Sequence, residues 1–469
     1  MSRHQPTIIL MRPNQRGAAS LIVVMVLFFL LSLVAAYTGR NLIFEQRTSV
    51  NQFRAAQGFE AAEAGVEWAL AMLNGGRITD SCVEGGATTA NTSFRQRYLI
   101  TDPITGRISP RLNTVPLPAG VLPAVGQPLN VSCVFNGTNW VCSCPINGAP
   151  VLAAPAGGGV YPAFRVRFVD ANVGSGGGAP NGINVVRPGL IGIEAQGCTR
   201  LENDCLNFPA VAVQSEGRAL VSAFLGLKPA LATPPAAALT VSGNVAARIA
   251  PWAKAAAYNT EADRGGLALH VGNPSEAAIN PDYFELRGPP GTPSTAAMLL
   301  MDRPLYRMTD APDRIFPTIL GSWFNVYTEQ PAVVKQFICP AAGDCRAALA
   351  DRVALTPGRI FWIDGDLRLD TAGDIGSMPD PANPSAAGPV MLLVKDRVLF
   401  TPGVRVFGFV YSRDGNWQGA GQIQGGAFID GNLGAAAAPT VNLVGSVIDA
   451  MRMQSGSFVR IPGSWKDFE

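Results

Sequence analysis

The feature that most constrains this chain is an uncharged apolar segment close to its start. Between Gly17 and Gly39 there is no Asp, Glu, Lys or Arg, and most positions are Leu, Val, Ile, Phe or Ala. A helix of about 20 apolar residues suffices to cross a bilayer. Arg3, Arg12 and Arg16 precede the segment, and the positive-inside rule keeps such residues cytoplasmic. We therefore expect a membrane-spanning helix whose leading residues stay in the cytoplasm.

The segment does not end as a secretory signal peptide does. Ala35 and Ala36 are a weak cleavage pattern, but the helical periodicity continues well beyond them. Apolar residues recur at three- and four-residue spacing and give the continued helix one apolar face. Asn74-Gly75-Gly76 is a typical helix stop, so we expect one helix over residues 18–74, about 85 Å long at 1.5 Å per residue. Its apolar face consists of Phe59, Ala62, Val66, Ala69 and Leu73.

The residues around the start of the apolar run resemble a known signal. Arg16-Gly17 directly before the run resembles the class III signal of type IV prepilins, and residues 15–74 are similar to the N-terminal region of the PilX family of minor pilins. The resemblance implies that prepilin peptidase cuts after Gly17 and that Ala18 becomes the methylated mature terminus. Residues 1–17 are then a leader peptide. The similarity lies in Gln15-Arg-Gly-Ala-Ala-Ser-Leu-Ile-Val-Val, Phe44-Glu-Gln-Arg and Ala61-Ala-Glu-Ala.

One position departs from the pattern of major pilins. Major pilins have a glutamate at the fifth mature position, where it pairs with the terminal amine of a neighbouring subunit, but this chain has Ile22. The resemblance to PilX-type pilins implies this absence. A carboxylate within the bilayer is costly unless it is paired. A subunit with no neighbour above it has no amine to neutralise, so the missing glutamate favours the filament tip over a mid-filament place. A degenerate motif in a plain membrane anchor is the alternative.

Eight cysteines, an even number, indicate disulfides in an oxidising compartment. A metal site is less favoured, because the Cys-x-Cys pair at residues 142–144 lacks the usual two-residue gap and the chain has only two histidines, His4 and His270. We expect no metal and no cofactor. The favoured local pairs are Cys198–Cys205 and Cys339–Cys345, and three connectivities stay open for Cys82, Cys133, Cys142 and Cys144.

The sequence after the helix predicts many short strands, because Gly and Pro number 51 and 37. Alternating residues at 164–168, with further β-rich runs at 189–197 and 209–217, predict a strand-rich head domain over residues 77–236. The fold class expected for the whole chain is α+β. Its segments are the leader 1–17, the pilin helix 18–76, the head 77–236 and a C-terminal domain 237–469.

The C-terminal domain has a different sequence pattern, in which β-rich runs are separated by recurring Gly-Asn and Gly-Asp turns. Val394, Val410, Ile429 and Ile448 follow one another at 16 to 19 residues, and irregular periods near 20 residues are typical of β-solenoid coils. We expect a β-solenoid-like domain with a helical insertion near residues 311–352. An ordinary β-sandwich is the alternative.

Patterns that would indicate an enzyme are weak. His270 stands beside a turn and is expected to be structural. Asp364, Asp366, Asp370 and Asp374 suit acid–base cleavage of a polysaccharide, but Asp in turns commonly caps backbone amides. Three aromatic residues are candidates either for stacking on sugars or for packing between coils. They are Trp362, Tyr411 and Trp417.

The resulting expectation is a structural and adhesive role without catalysis. We expect a type IV pilus minor pilin at or near the tip, held in the inner membrane before assembly and then in the extracellular pilus of a Gram-negative bacterium. Expected partners are other minor and major pilins, prepilin peptidase and a large tip adhesin. A net charge of +2 without a basic stripe argues against nucleic acid. A pilus- or membrane-anchored glycan-binding protein or hydrolase is the second hypothesis, and an anchored protein unrelated to pili is the third.

Overall fold

The fold begins with one long helix, α1, over Arg16–Leu73. Its last third is docked on the body of the protein, whereas residues 20–56 project with almost every side chain exposed. The long helix expected from the sequence is therefore confirmed. A computed structural model describes residues 16–88, 90–156, 161–171, 187–201, 206, 217–245, 255–272, 284–309, 312–341, 344–380, 386–434 and 439–466.

The head is an antiparallel sheet packed on the docked part of α1. Its six-stranded sheet has the order β25-β9-β8-β7-β5-β6, and the short helix α2 is held at its start by a capping box between Ser93 and Gln96. The elements are β1 Arg77–Ile78, β2 Thr92–Ser93, α2 Phe94–Tyr98, β3 Leu99–Thr101, β4 Ile108–Pro110, β5 Asn130–Phe135, β6 Trp140–Ser143, β7 Ala163–Val169, β8 Leu190–Cys198, β9 Arg218–Pro229 and β25 Gly456–Arg460.

The remaining strands form two sheets of parallel strands between β9 and β25. In the larger sheet the order is β13-β11-β24-β23-β21-β19-β16-β15. Four further strands belong to the same sheet: β10 pairs with β23 and β12, β14 pairs with β12, and β18 pairs with β21. The smaller sheet has the order β17-β20-β22. The elements are β10 Leu239–Val241, β11 Ala255–Tyr258, β12 Leu269–Val271, β13 Phe284–Arg287, β14 Leu299–Met301, α3 Arg303–Met308, α4 Pro312–Leu320, α5 Phe324–Thr328, β15 Val333–Phe337, α6 Cys345–Leu355, β16 Ile360–Ile363, β17 Leu367–Leu369, β18 Gly373–Ile375, β19 Val390–Val394, β20 Val398–Phe400, β21 Val404–Ser412, β22 Trp417–Gly419, β23 Gln422–Ile429, β24 Thr440–Leu443 and α7 Gly445–Met453.

The parallel stack is assembled from two runs of the chain. The first run starts at β10 and proceeds through β12 to β14. Helices α3 to α5 then lead to β15 at the opposite end of the stack, where the second run begins. This run proceeds from β15 through β16, β19 and β21 to β23. β23 pairs with β10, which joins the second run to the first. The first strand of this region, β10, and its last strands, β23 and β24, therefore lie in the middle of the stack.

The register of the parallel strands relates residues other than the valines and isoleucines whose spacing is near 20 residues. Leu392 aligns with Val410, and Val410 aligns with Ala427. Ile448 lies in α7 and belongs to no strand. Val394, Val410, Ile429 and Ile448 therefore do not occupy one aligned position on successive strands. The range 311–352 contains α4, α5 and the start of α6, and also the strand β15.

The last strand returns to the head. β25 pairs antiparallel with β9, and Phe458 of β25 is buried with the head residues. We call residues 230–455 the insert, since they stand between two paired strands of the head. The C-terminal domain predicted over residues 237–469 includes β25, but the pairing of β25 with β9 places this final strand on the head sheet. The strand expected at residues 209–217 lies, except for Gly217, outside the described residues.

Candidate functional site

The projecting part of α1 is the most unusual surface of the molecule. Large apolar side chains from Leu21 to Val34 are each more than half exposed, and no other element of the described chain covers them. α1 is the helix, within the described residues, that is long and apolar enough to cross a membrane, and its apolar stretch has a mean hydropathy of 2.7. Such a surface is not stable in water, so a bilayer or other helices must cover it.

The predicted processing residues lie at the start of this helix. Gly17 and Ala18 are in the first turn of α1, and the residues before Arg16 lie outside the described residues. Ile22 is 62% exposed on the projecting part. An apolar side chain there needs no partner inside a bilayer or a helix bundle, whereas a carboxylate would.

The other end of α1 docks on the head sheet at very short range. Ala62, Val66, Ala69 and Leu73 are fully buried and Phe59 is partly buried, as the apolar face predicted. A Cβ built on Gly197 of β8 would lie 2.0 Å from the carbonyl oxygen of Gly58, and one on Gly217 would lie 2.1 Å from that of Arg54. Only glycine fits at such a close approach of two backbones.

The C-terminus of α1 is held by two arginines from different parts of the chain. Arg95 of α2 donates through Nε to the Leu73 carbonyl (2.9 Å) and through Nη1 and Nη2 to the carbonyls of Gln454 (3.2 Å) and Gly456 (2.9 Å). Arg359 of the insert donates to the carbonyl of Asn74. These guanidinium groups satisfy carbonyls that a helix end leaves without partners, and their charge complements the helix dipole.

The two guanidinium groups have no carboxylate among their described hydrogen-bond partners. Burial lowers the pKa of Arg95 to about 9, with nearby Arg359 contributing. Burial likewise lowers the pKa of Arg359 to about 10. The Asn74 side chain completes the joint, since it donates to the Phe458 carbonyl and accepts from the Phe458 amide, both at 2.9 Å. Helix, head and insert are thus tied together at one point.

Three disulfides are present among the described cysteines, as the even number predicted. Cys339 pairs with Cys345, the local pair expected. The sequence left three connectivities open for four other cysteines, and the structure contains Cys82–Cys144 and Cys133–Cys142. Cys198 is also disulfide-bonded, and its expected partner Cys205 lies outside the described residues.

Three of the four candidate catalytic carboxylates lie in ion pairs that join neighbouring parallel strands or the residues flanking them. Asp364 contacts Lys395 at 2.8 Å, and Asp366 contacts Arg397 at 2.6 Å. Asp374 and Arg405 form two parallel contacts of 2.8 Å. The hydrogen bond from Arg397 holds the pKa of Asp366 below its ordinary value, whereas a general acid needs a raised pKa. Asp370 is exposed and has no ion pair among the described residues.

The aromatic residues considered for sugar stacking are mostly inside the stack. Tyr411 and Trp417 are buried, and the Tyr411 ring stacks on the Phe428 ring of the neighbouring strand β23 at 5.6 Å. Trp362 packs edge-on against Phe324. His270 lies 3.3 Å from Asp302, and no group of three or more potential metal ligands occurs in the part of the chain that is described.

The joint at the end of α1 was not predicted from the sequence. Arg95 lies within the capping pattern Ser93-Phe-Arg-Gln96, which predicts the start of α2 but not the role of this arginine. Arg359 lies far from Asn74 in the sequence, and no local pattern relates them. Only the pairing of β25 with β9 brings Gly456 beside Leu73.

A comparison with known protein families finds a match that lies within α1. The family model described as PilX N-terminal matches residues 16–67, which are the projecting part of α1 and most of its docked part. No curated protein and no solved structure matches the chain. The match supports a pilin-like protein of the type IV pilus minor-pilin class, anchored by an apolar helix, associated with a pilus and in contact with other pilus components. It does not extend to the head or to the insert.

Proposed function

We propose that the chain is a minor pilin that acts at or near the tip of a type IV pilus, promotes assembly and presents an adhesive head. One observation carries the proposal: the exposed apolar part of α1 continues without a break into a helix docked on the head, and the same residues match the PilX N-terminal model. A helix of this form serves first as a membrane anchor and then as part of a filament core. Packing of apolar helices drives both steps.

The tip position is supported by Ile22 and by the bulk of the insert. Without a carboxylate at residue 22, the subunit has no charge to pair with the terminal amine of a neighbour. The insert adds residues 230–455 to a head that already covers the end of α1. A subunit of this size is hard to repeat along a thin fibre, whereas a single copy at the tip meets no such limit.

The partners that follow from this role are minor and major pilins, prepilin peptidase and a large tip adhesin. We place the chain in the inner membrane of a Gram-negative bacterium before assembly and outside the cell afterwards.

The insert in this proposal is a β-solenoid, which its in-register parallel strands support. We propose no catalytic activity, because the candidate carboxylates Asp364, Asp366 and Asp374 are engaged by basic residues of the next coil.

Mass spectrometry of the mature N-terminus tests the proposal. In cells with prepilin peptidase we expect the chain to start at methylated Ala18, and in cells without it to keep residues 1–17. The matched control is Gly17→Ala, which should block the cut in peptidase-positive cells and leave the head folded. An intact leader in peptidase-positive cells, or a cut near Ala36, would contradict the pilin role.

A further inference from the structure

The outward side of the larger parallel sheet carries a row of in-register side chains. On five neighbouring strands, Phe407 aligns with Gln424, Gln424 with Asn442, Asn442 with Tyr258, and Tyr258 with Arg287. The side chains before the first three of these residues point into the core, since Val406, Ile423 and Val441 are fully buried. At about 4.8 Å between strands the row is about 19 Å long. We call these five residues the amide row.

The two aromatic residues of the amide row are each braced by an arginine. The Arg405 guanidinium lies over the Phe407 ring at 5.6 Å, and the Arg287 guanidinium lies over the Tyr258 ring at 4.7 Å. Both arginines are themselves ion-paired, to Asp374 and Glu285 respectively. The rings are thereby held in place, three strands or about 14 Å apart, and the charges beside them neutralise one another.

The amides between the rings offer both donors and acceptors. Gln424 donates to Gln422 of its own strand at 3.2 Å, so these amides do not form the hydrogen-bonded ladder along a stack that would give them a purely structural role. The Asn442 amide has no hydrogen bond within the described residues. A side-chain amide has two N–H donors and two acceptor lone pairs, so this part of the row retains hydrogen-bonding capacity towards solvent.

We propose that the amide row binds a neutral polysaccharide. Sugar hydroxyls both donate and accept, as the amides of Gln424 and Asn442 do. The apolar faces of pyranose rings fit against Phe407 and Tyr258. Because the nearby charges are paired within the face, charge complementarity favours an uncharged polymer over an acidic one. The inference concerns the insert alone, so it holds whether or not the chain enters a pilus.

Affinity gel electrophoresis of the full chain tests the proposal. The protein is kept in a zwitterionic detergent, because sugar-headed detergents would compete. Gels contain dextran, mannan, galactomannan or xyloglucan as neutral polymers, and alginate or polygalacturonate as acidic ones. The variants are Phe407→Ala, Asn442→Ala and the double change Gln424→Ala with Asn442→Ala. The matched control is Gln418→Ala, which removes an exposed amide of β22, on the smaller sheet, that donates to Asn416 just before that strand.

We expect a neutral polymer to retard the unmodified chain and the double variant to bind at least tenfold more weakly, since each lost hydrogen bond costs about a factor of five. Phe407→Ala should weaken binding about tenfold, and Gln418→Ala should leave it unchanged. Thermal unfolding midpoints equal to that of the unmodified chain show that the variants are folded. If the double variant does not fold, Asn442→Ala alone, the smallest change, is tested in its place. Failure of all neutral polymers to bind, equal loss with Gln418→Ala, or preference for acidic polymers that disappears in about 0.5 M NaCl would each overturn the proposal.

Discussion

Pro229 and Gly456 lie directly opposite each other on adjacent antiparallel strands, although the whole insert separates them in the sequence. The amide of Ala230 also bonds the carbonyl of Ser455 at 2.9 Å, so the pairing of β9 and β25 continues to the first and last residues of the insert. Topologically, the insert occupies the place of a hairpin loop in the head.

The insert and the head each have their own hydrophobic core. The larger buried cluster contains residues from Ala230 to Met451 only. The cluster of the head contains residues from Ala62 to Leu225 together with Phe458 of β25. Since no residue belongs to both clusters, each part buries its own apolar surface, and the polar joint at Arg95, Arg359 and Asn74 provides hydrogen bonds between them.

Replacing residues 230–455 by Asn-Gly should leave a folded head. A two-residue loop of this type closes an antiparallel hairpin when the flanking residues lie opposite each other, as Pro229 and Gly456 do. We expect a chain with a sheet-rich circular dichroism spectrum and with the Cys82–Cys144 and Cys133–Cys142 disulfides, measured by non-reducing peptide mass mapping. Removal of residues 219–455, which also takes away β9, is the control and should give an unfolded chain. Scrambled disulfides in the first variant would contradict separate folding.

The sequence predicted the parts of the fold that depend on local pattern. The helix ends at Leu73, just before Asn74-Gly75-Gly76, because a glycine-rich stop acts within one turn. The strand at residues 164–168 is part of β7, since alternation of apolar and polar residues reflects a sheet with one buried face. The return of β25 to β9 left no such local signal, because strand pairing over this distance is set by the tertiary structure.

The site was predicted less completely for the same reason. Asp364, Asp366 and Asp374 form a group in the sequence that suggests acid–base chemistry. Their partners Lys395, Arg397 and Arg405 lie 31 residues further along the chain, and only the register of the parallel strands reveals the pairs. The amide row was not predicted either, because Phe407 and Tyr258 are remote in sequence and only the strand register aligns them, three strands apart, on one face of the sheet.

Arg95→Ala should destabilise the full chain by about 3 kcal/mol, because three carbonyl groups would lose a charged donor in a partly buried place. Arg95→Lys should recover only part of the loss, since an ammonium group cannot reproduce the planar fork of donors. Urea unfolding followed by circular dichroism measures both. The control is Arg397→Ala, an exposed arginine whose ion pair is worth well under about 1 kcal/mol. Equal effects of Arg95→Ala and Arg397→Ala would show that the joint does not contribute as argued.

Gly197→Ala should separate α1 from the head sheet. The new Cβ would lie 2.0 Å from the Gly58 carbonyl oxygen and 2.3 Å from the Ala62 amide nitrogen, and backbone atoms on both sides cannot move independently. We expect a loss of about 3 kcal/mol, at the upper end for overpacking, by the same unfolding measurement. Gly39→Ala is the matched control, because nothing lies within 4 Å of its Cβ position. A Gly197→Ala chain as stable as the Gly39→Ala chain would rule out this close contact.

Asp366→Asn should reduce stability only where the carboxyl group is ionised. The hydrogen bond from Arg397 lowers the pKa of Asp366 in the folded chain, so the stabilisation is complete above the unfolded value near 4 and is lost as the pH falls through the folded pKa. Because the pair is partly exposed, we expect a loss of about 0.5 kcal/mol at pH 7.

The urea midpoints of the variant and of the unmodified chain should converge as the pH falls through the lowered pKa of Asp366, since below it the carboxyl group is protonated in both the folded and unfolded states. About 1 M NaCl at pH 7 should also shrink the difference by screening the pair. Asp370→Asn, a nearby exposed carboxylate without an ion pair in the described chain, should leave stability unchanged over the same pH range. A constant loss for Asp366→Asn across this pH range would mean that the side chain acts through packing and not through its charge.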